Sequence, residues 1–315
     1  MFLTGFADEA GRDWDTQLKA VRELGWDHLD IRLIGDRFFA MVSEEEFERI
    51  AQDLKDAHIR VNCYGSGIAN GETPVCSEEY FERSRKELLN AVPRMKKLGI
   101  PMIRGMSFQR AKENPDSPEV RKFVFERVNQ FVDICADNGI VYAHENCYNY
   151  GGMSWEHTLR LLENIRHREA FALIFDTGNP PGSLDRRGPL PYHRQSAWEF
   201  YRQVREHVRY VHIKDATAFL RPDGKVDSPV YCFPGDGEGD VRAIVLDLMR
   251  RGYDGGFCME PHIVFPPKPE LPQEEKNRIL THRYKTYIAY CRRFEKLFRE
   301  CREQVTEERK NDLHE

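Results

Sequence analysis

The sequence lacks the features that mark membrane-spanning, exported and nucleic-acid-binding proteins. Its 315 residues contain no apolar run of about 18 residues, so we expect no transmembrane helix and no membrane partner. The segment Met1–Gly5 has neither a basic region nor a long apolar stretch, and it predicts a first strand rather than a signal peptide. The formal net charge of −5 disfavours a nucleic-acid-binding surface, so we expect no nucleic acid partner.

Cysteine pairs and linkers are also missing. None of the eight cysteines belongs to a Cys-x-x-Cys pair, and their scatter is typical of reduced thiols in a cytoplasmic protein. No Pro/Ser-rich linker divides the chain, which favours a single domain. The hydrophobic content of 40% and the charged content of 31% are those of a globular protein.

Four short apolar runs each end on a side chain that can bind a metal ion. They are Val-Tyr-Ala-His-Glu at Val141–Glu145, Phe-Ala-Leu-Ile-Phe-Asp at Phe171–Asp176, Val-Arg-Tyr-Val-His at Val208–His212, and Gly-Phe-Cys-Met-Glu at Gly256–Glu260. Helix-length segments separate these runs along the chain. One such ending is common, but four in series indicate that neighbouring strands deliver ligands to one place.

The rest of the chain follows the same alternation of strand and helix. Further strands are predicted at Phe2–Ala7, His28–Leu33, Ile59–Tyr64 and Pro101–Met106. This alternation predicts an α/β fold with a parallel sheet. The long loops, such as Gly178–Gln195 and Ala216–Gly239, follow the carboxyl ends of strands, which is typical of a (β/α)8 TIM barrel with its active site at that rim. A doubly wound open sheet is the alternative.

The C-terminal segment carries a second pattern. We expect a barrel over residues 1–270 and a helical extension over 271–315. An apolar stripe predicts one buried helix face in this extension, formed by Leu280, Tyr284, Tyr287, Cys291, Phe294 and Phe298. The stripe packs either on the barrel or on a partner subunit of a homo-oligomer.

The four strand ends predict a metal site. Adjacent strands of a sheet lie about 4.8 Å apart, so Glu145, Asp176, His212 and Glu260 can surround one ion. Three carboxylates and one imidazole make an oxygen-rich site of charge −3. We expect one divalent ion, Mn²⁺ first, with Mg²⁺, Co²⁺ and Zn²⁺ as alternatives; a structural zinc site would recruit cysteine.

The motifs around these residues resemble those of a known family, the xylose isomerase-like barrels grouped as sugar phosphate isomerases and epimerases. The resemblance covers residues 1 to about 265 and rests on His144-Glu145-Asn146, Phe175-Asp176-Thr177-Gly178-Asn179, Val211-His212-Ile213-Lys214-Asp215, the Gly-rich Pro234–Asp240, and Met259-Glu260-Pro261-His262. It implies one divalent metal held by Glu145, Asp176, His212 and Glu260. It also implies a small carbohydrate substrate.

The resemblance extends to the chemistry. In the ketose epimerases of this family, the two glutamate ligands face each other across the substrate, and they match Glu145 and Glu260 here. One removes a proton next to the carbonyl and the other returns it, while the metal stabilises an enediolate. Where ketose 3-epimerases have a histidine that touches the sugar, this chain has Asn179, which puts epimerase specificity in question.

Six further residues are candidates for substrate binding because they lie at or just beyond predicted strand ends: Arg32, Arg104, Asn179, Lys214, His262 and His144. Each arginine is a candidate for binding a carboxylate or phosphate, or for an internal salt bridge. Lys214 either orients a substrate oxygen or pairs with Asp215. His144 and His262 are expected to support the ligands through hydrogen bonds, with His262 an alternative base.

Other functions fit the same sequence less well. The same metal site would serve a lyase or dehydratase that acts on an inosose or a 3-oxo-glycoside, including C-glycosides. A DNA repair nuclease of the endonuclease IV type shares the barrel, but it needs three zinc ions and more histidine ligands. A catalytically inactive binding barrel is disfavoured by the intact set of four ligands.

Overall fold

The computed structural model describes residues 1–70, 77–111 and 113–311, and its centre is a sheet of eight parallel strands. The strands are β1 (Phe2–Gly5), β2 (His28–Ile31), β3 (Arg60–Gly65), β4 (Met102–Gly105), β5 (Val141–Glu145), β6 (Phe171–Asp176), β7 (Val208–Ile213) and β8 (Gly256–Met259). From β2 to β8 each strand pairs with the next, and β8 pairs with β1. A parallel bridge between Phe6 and Asp30 joins β1 to β2. The predicted TIM barrel is therefore confirmed, and the doubly wound sheet is wrong.

Within the described residues, eight α-helices surround the strands. They are α1 (Trp14–Leu24), α2 (Glu44–Asp56), α3 (Glu78–Leu98), α4 (Pro118–Asp137), α5 (Trp155–Glu163), α6 (Ala197–Val204), α7 (Val241–Arg250) and α8 (Gln273–Asn311). Serine caps begin several of them, as Ser43 does when its side chain accepts the backbone N–H of Glu46. Asp240 precedes α7, but its side chain does not cap that helix and accepts the backbone N–H of Trp198 instead.

The two loops predicted to be irregular each contain a small hairpin. Leu184–Asp185 pairs with His193–Arg194, and Asp215–Thr217 pairs with Val230–Cys232. Two-residue and three-residue strands are too short to show a period in the sequence. Both hairpins lie after the carboxyl ends of barrel strands, β6 and β7, so they belong to the rim on which the predicted ligands meet.

Alternation along the strands decides which side chains point into the barrel. A small cluster of buried residues fills the interior, and it contains Phe6, Cys63, Ala143, Ile174, Tyr210 and Cys258. Four of these precede a predicted ligand by two positions, as Ala143 precedes Glu145. Because side chains two apart on a strand share a face, the ligands also point inward, one layer above this cluster.

Helix α8 packs along the outside of the barrel against α1 and α7. Tyr287, Cys291 and Phe294 are buried in this contact, and the indole N–H of Trp26 donates to Glu295 at 2.8 Å. Leu280, expected to be buried with them, is 39% exposed because it lies in the first turns of the helix, before the most buried part of the stripe. Residues 312–315 of the expected extension lie outside the described part of the chain. None of the helices described is long and apolar enough to span a membrane.

Candidate metal centre

The ends of β5 to β8 bring four predicted ligands together. One ligand atom from each of Glu145, Asp176, His212 and Glu260 lies within 4.8 Å of the others, and all four residues are buried. Glu145 and Asp176 are the last residues of β5 and β6, His212 is next to last in β7, and Glu260 follows β8 directly. We refer to these four residues as the ligand cluster.

Several buried atoms of the ligand cluster make no hydrogen bond in the described structure: Asp176 Oδ2, Glu260 Oε2 and both ring nitrogens of His212. The two carboxylate oxygens have only ion-pair contacts, with Lys214 Nζ and, for Glu260, with His212 Nδ1 at 3.3 Å. Buried polar atoms are rarely left in this state unless water, an ion or a ligand satisfies them. Two carboxylate oxygens and an imidazole nitrogen suit Mn²⁺, Mg²⁺ or Zn²⁺. The cluster therefore fits a divalent cation.

The charge around the cluster leads to the same result. Five buried carboxylates meet here, because Asp8 and Glu9 lie beside the three of the cluster, and three cations face them: Arg32, Arg104 and Lys214. Counted over these eight groups, with His212 neutral as a metal ligand must be, two negative charges are left over. One divalent cation would balance them.

Two basic residues each bridge two carboxylates of the cluster. Arg104 Nη1 lies 3.2 Å from Glu145 Oε2 and 3.6 Å from Glu260 Oε1, so one guanidinium spans both glutamates. Lys214 Nζ lies 2.9 Å from Asp176 Oδ2 and 3.2 Å from Glu260 Oε2. Both cations hold carboxylates near each other that would otherwise repel.

Of the two roles considered for Lys214, the pair with Asp215 does not form. The two side chains are adjacent in sequence and point to opposite sides of the strand. The Asp215 carboxylate instead accepts the backbone N–H groups of Gly235, Gly237 and Gly239 at 2.8 to 3.0 Å. The Gly-rich turn thus wraps an internal carboxylate, and any Cβ on Gly237 would lie 2.4 Å from Asp215 Oδ1.

Arg32 links the cluster to a second acidic group. Its Nη1 donates to Glu260 Oε1 at 2.7 Å, its Nε contacts Asp8 and its Nη2 contacts Glu9 at 3.1 Å. His262 Nδ1 lies 2.7 Å from Glu9 Oε1, and its Nε2 lies 3.6 Å from Glu260 Oε1. His262 is therefore an imidazole oriented by one carboxylate beside another, with 27% of its side chain exposed.

The pKa values reflect this concentration of charge. Burial and the nearby Glu145 and Glu260 raise the pKa of Asp176 to about 6, although Lys214 opposes the shift. Burial disfavours imidazolium, but Glu145 and Glu260 outweigh it and raise the pKa of His212 to about 9. For Glu145, Arg104 and His212 outweigh burial and lower the pKa to about 2. The ion pairs therefore keep Glu145 ionised.

Two asparagines fix the ligands from behind. The side chain of Asn179 donates to Glu145 Oε1 at 3.0 Å, and its Oδ1 lies 3.4 Å from Lys214 Nζ. Asn146 donates to the backbone oxygen of Asp176 and accepts its N–H, at 3.0 and 2.7 Å. Both asparagines are buried, so they hold the strand ends in register.

His144 is the one expected site residue that the structure places elsewhere. Its Nε2 contacts Ser107 Oγ at 2.9 Å, and its ring stacks near Phe171. His144 precedes Glu145, and consecutive strand residues point to opposite faces, so this side chain lies between the strands and the helices. Phe108, beside Ser107, is also in the core, where its ring contacts Phe123.

Three polar residues around the site were missed by the sequence interpretation. Asp8 and Glu9 follow β1 as the polar residues of a short 3-10 helix. Asn146 stood inside a quoted motif without a role. The usable signal was position, since each of these residues lies shortly after the carboxyl end of a barrel strand.

Comparison with known proteins identifies a relationship over most of the chain. A family model described as "Xylose isomerase-like TIM barrel" matches residues 18–280. No curated protein matches the sequence.

Solved structures share the fold at low sequence identity. The IOLI protein with a binding zinc atom is 16% identical, with a TM-score of 0.70 over 97% of this chain and 99% of that one. D-Psicose 3-epimerase with D-tagatose from Clostridium cellulolyticum H10 is 14% identical, with a TM-score of 0.61 over 93% and 98%. The probable 3-DHS dehydratase AsbF from Bacillus anthracis is 14% identical, with a TM-score of 0.63 over 91% and 98%.

Proposed function

Because this chain belongs to the xylose isomerase-like TIM-barrel family, we propose that it is a divalent-metal-dependent sugar isomerase or epimerase. The carrying observation is the ligand cluster, in which two buried glutamates, an aspartate and a histidine converge, and both ring nitrogens of the histidine make no hydrogen bond within the described residues. D-Psicose 3-epimerase is among the solved structures that share this fold. The reaction we propose moves a proton on the carbon next to a carbonyl.

We propose that Glu145, Asp176, His212 and Glu260 hold one Mn²⁺ ion, because an oxygen-rich set favours a hard cation. A bound divalent ion would act as a Lewis acid that polarises the substrate carbonyl. A similar structure contains zinc, so the choice of metal requires direct measurement.

The chain itself supplies the proton carriers. Glu145 and Glu260 are joined by the guanidinium of Arg104, which contacts both at 3.2 and 3.6 Å. We propose that one carboxylate accepts the proton and the other returns it, because both are buried at the rim and both are held in position. The ammonium of Lys214 and the guanidinium of Arg104 supply positive charge toward the enediolate oxygens.

A lyase or dehydratase that acts on an inosose or a 3-oxo-glycoside is the second candidate, and one contact favours it. An elimination needs an acid for the leaving group in addition to the base. His262 would supply it, because Glu9 orients its Nδ1 at 2.7 Å while its Nε2 lies 3.6 Å from Glu260 Oε1. Asn179 adds to this alternative, because it contacts Glu145 where ketose 3-epimerases have a histidine on the sugar.

Deuterium exchange separates the two candidates. The metal-loaded protein is incubated in D₂O with ketoses, inososes and 3-oxo-glycosides, and products are followed by NMR and mass spectrometry. Exchange into the substrate or its epimer, without loss of a group, supports the isomerase or epimerase. Release of water or an aglycone supports the lyase. No exchange and no release with any of these compounds would contradict proton transfer next to a carbonyl.

We propose further that the protein works in the cytoplasm on a small carbohydrate. Cys63, Cys135, Cys147, Cys232, Cys258, Cys291 and Cys301 are all free thiols. Unpaired cysteines at this number are typical of a reducing compartment. The barrel over residues 1–270 and the extension over 271–315 are proposed as one catalytic unit.

A further inference from the structure

A cavity at the rim of the barrel is lined by unusually basic residues. Gln109, Arg110, Tyr148 and Arg186 enclose about 280 Å³. A second cavity of about 240 Å³ shares Arg110, Tyr148 and Arg186 and continues to Lys225. We call the shared space between Arg110, Tyr148 and Arg186 the arginine cleft.

The arginine cleft is built by the same rim that carries the ligand cluster. Arg110 lies on the loop after β4, Tyr148 on the loop after β5 and Arg186 on the loop after β6. Two of those strands end in the ligands Glu145 and Asp176. The cleft and the ligand cluster therefore lie on the same rim of the barrel.

The two arginines lack the anionic partners that other arginines of this protein have. Neither Arg110 nor Arg186 forms an ion pair in the described residues, and Arg186 Nε is buried without a hydrogen bond. The guanidinium of Arg186 stacks on the ring of Tyr192, 5.1 Å away. The next residue, Arg187, by contrast contacts Asp185 at 2.5 Å and Glu199 at 3.3 Å.

Burial and mutual repulsion make this arrangement costly. Burial, followed by repulsion from Arg186, lowers the pKa of Arg110. Burial likewise lowers the pKa of Arg186. Two guanidinium groups held together in this way are stabilised by an anion that bridges them.

We propose that the arginine cleft binds an anionic group, a phosphate or a carboxylate, carried by the sugar substrate. The proposal rests on the proposed function, since it names the class of sugar that the ligand cluster would act on. Arg110 and Arg186 would donate to the oxygens of the group, and Arg guanidinium suits both oxyanions through paired N–H donors. The sugar ring or chain would then reach past Tyr148 toward the cluster.

Tyr148 connects the arginine cleft to the ligand cluster. Its side chain is 41% exposed, and a Cβ on Gly182 would lie 2.6 Å from its hydroxyl oxygen, so glycine leaves room for the ring. Burial raises the pKa of Tyr148, and the nearby charges of Lys214 and Asp176 also affect it in opposite directions. The phenol therefore lies between the two sites and is in electrostatic reach of the cluster.

The binding test uses inorganic phosphate and no turnover. Isothermal titration calorimetry is run on the protein after EDTA treatment, with Arg110→Met, Arg186→Met and the control Arg221→Met, an exposed arginine on the β7 loop that pairs with Asp223. We expect phosphate to bind wild type and Arg221→Met equally, and at least about tenfold more weakly to the two cleft variants. Circular dichroism checks that all variants fold. No phosphate binding to wild type, or unchanged binding in both cleft variants, would overturn the proposal.

The substrate test distinguishes phosphate from carboxylate. Deuterium exchange is measured with a neutral ketose, its phosphate ester and the corresponding uronate. If the wild type prefers the phosphate ester, the cleft binds a phosphate; if it prefers the uronate, the cleft binds a carboxylate. In either case, Arg110→Met and Arg186→Met should lose the preference through a rise in KM. If the wild type exchanged deuterium into all three compounds equally, and both cleft variants did the same, the cleft proposal would be overturned while the proposed reaction would hold. Absence of all exchange with retained phosphate binding would instead overturn the proposed reaction alone.

Discussion

Replacing Asp215 with asparagine tests how the Gly-rich turn is held, because Asp215 contributes to stability without touching the ligand cluster. Its buried carboxylate accepts four backbone N–H groups: Oδ2 from Gly235 and Gly237, and Oδ1 from Ala216 and Gly239. In Asp215→Asn, one oxygen becomes an NH₂ group that faces two N–H donors. The amide oxygen can keep the buried donors of Ala216 and Gly239, so the two hydrogen bonds that are lost come from Gly235, which is exposed, and Gly237, which is half-buried.

The expected cost follows from those two hydrogen bonds. A hydrogen bond contributes about 0.5–1.5 kcal/mol net, so Asp215→Asn should lower the free energy of unfolding by about 1–3 kcal/mol. The measurement is urea denaturation followed by circular dichroism. Asp236→Asn is the matched control, because its exposed side chain lies in the same turn and contacts only Arg293 in the described residues. If both variants lost the same free energy, to within about 0.5 kcal/mol, the assignment of the turn would be refuted.

Three further predictions follow from the cluster and the core. Glu145→Gln and Glu260→Gln should each lower the rate of deuterium exchange by about 10²–10⁴-fold while circular dichroism is unchanged, and an active variant would exclude that residue as a proton carrier. Burial lowers the pKa of His157 from 6.5 to about 4, so the free energy of unfolding is unaffected above pH 6.5 and falls by about 3 kcal/mol as the pH drops to 4. His157→Gln should remove this part of the pH dependence of the free energy of unfolding. A pH profile equal to that of wild type would contradict the prediction. Gly152→Ala should destabilise the protein, because a Cβ there would lie 1.7 Å from the backbone oxygen of Cys147; a melting temperature equal to wild type would contradict the clash.

Much of the fold could be predicted because it depends on local pattern. The eight strands were found from short apolar runs, and β5 and β6 were placed with their observed bounds. The apolar runs that end at or near Glu145, Asp176, His212 and Glu260 are separated by helix-length segments. This alternation of strand and helix predicted that the four residues meet on one rim. His144 was wrongly expected beside the ligands because the two-residue period of the strand was not applied to it. That period places His144 and its neighbour Glu145 on opposite faces.

Side-chain contacts between strands that are distant in the sequence could not be predicted in this way. Arg32 contacts Glu260, which is 228 positions away in the sequence, and Lys214 contacts Asp176 rather than its neighbour. These contacts depend on how the barrel closes, and no local pattern carries that information. The two small hairpins were also missed, since the strands in them are two or three residues long.

The proposed function depends most directly on the binding of a divalent cation by the ligand cluster. Titration of Mn²⁺ into EDTA-treated protein by calorimetry, with wild type, Asp176→Asn and the exposed control Asp254→Asn, tests this directly. We expect one ion per chain in wild type and in Asp254→Asn, and affinity at least about tenfold weaker in Asp176→Asn, because the aspartate is a ligand. No binding by wild type, or the same affinity in all three proteins, would contradict the metal centre.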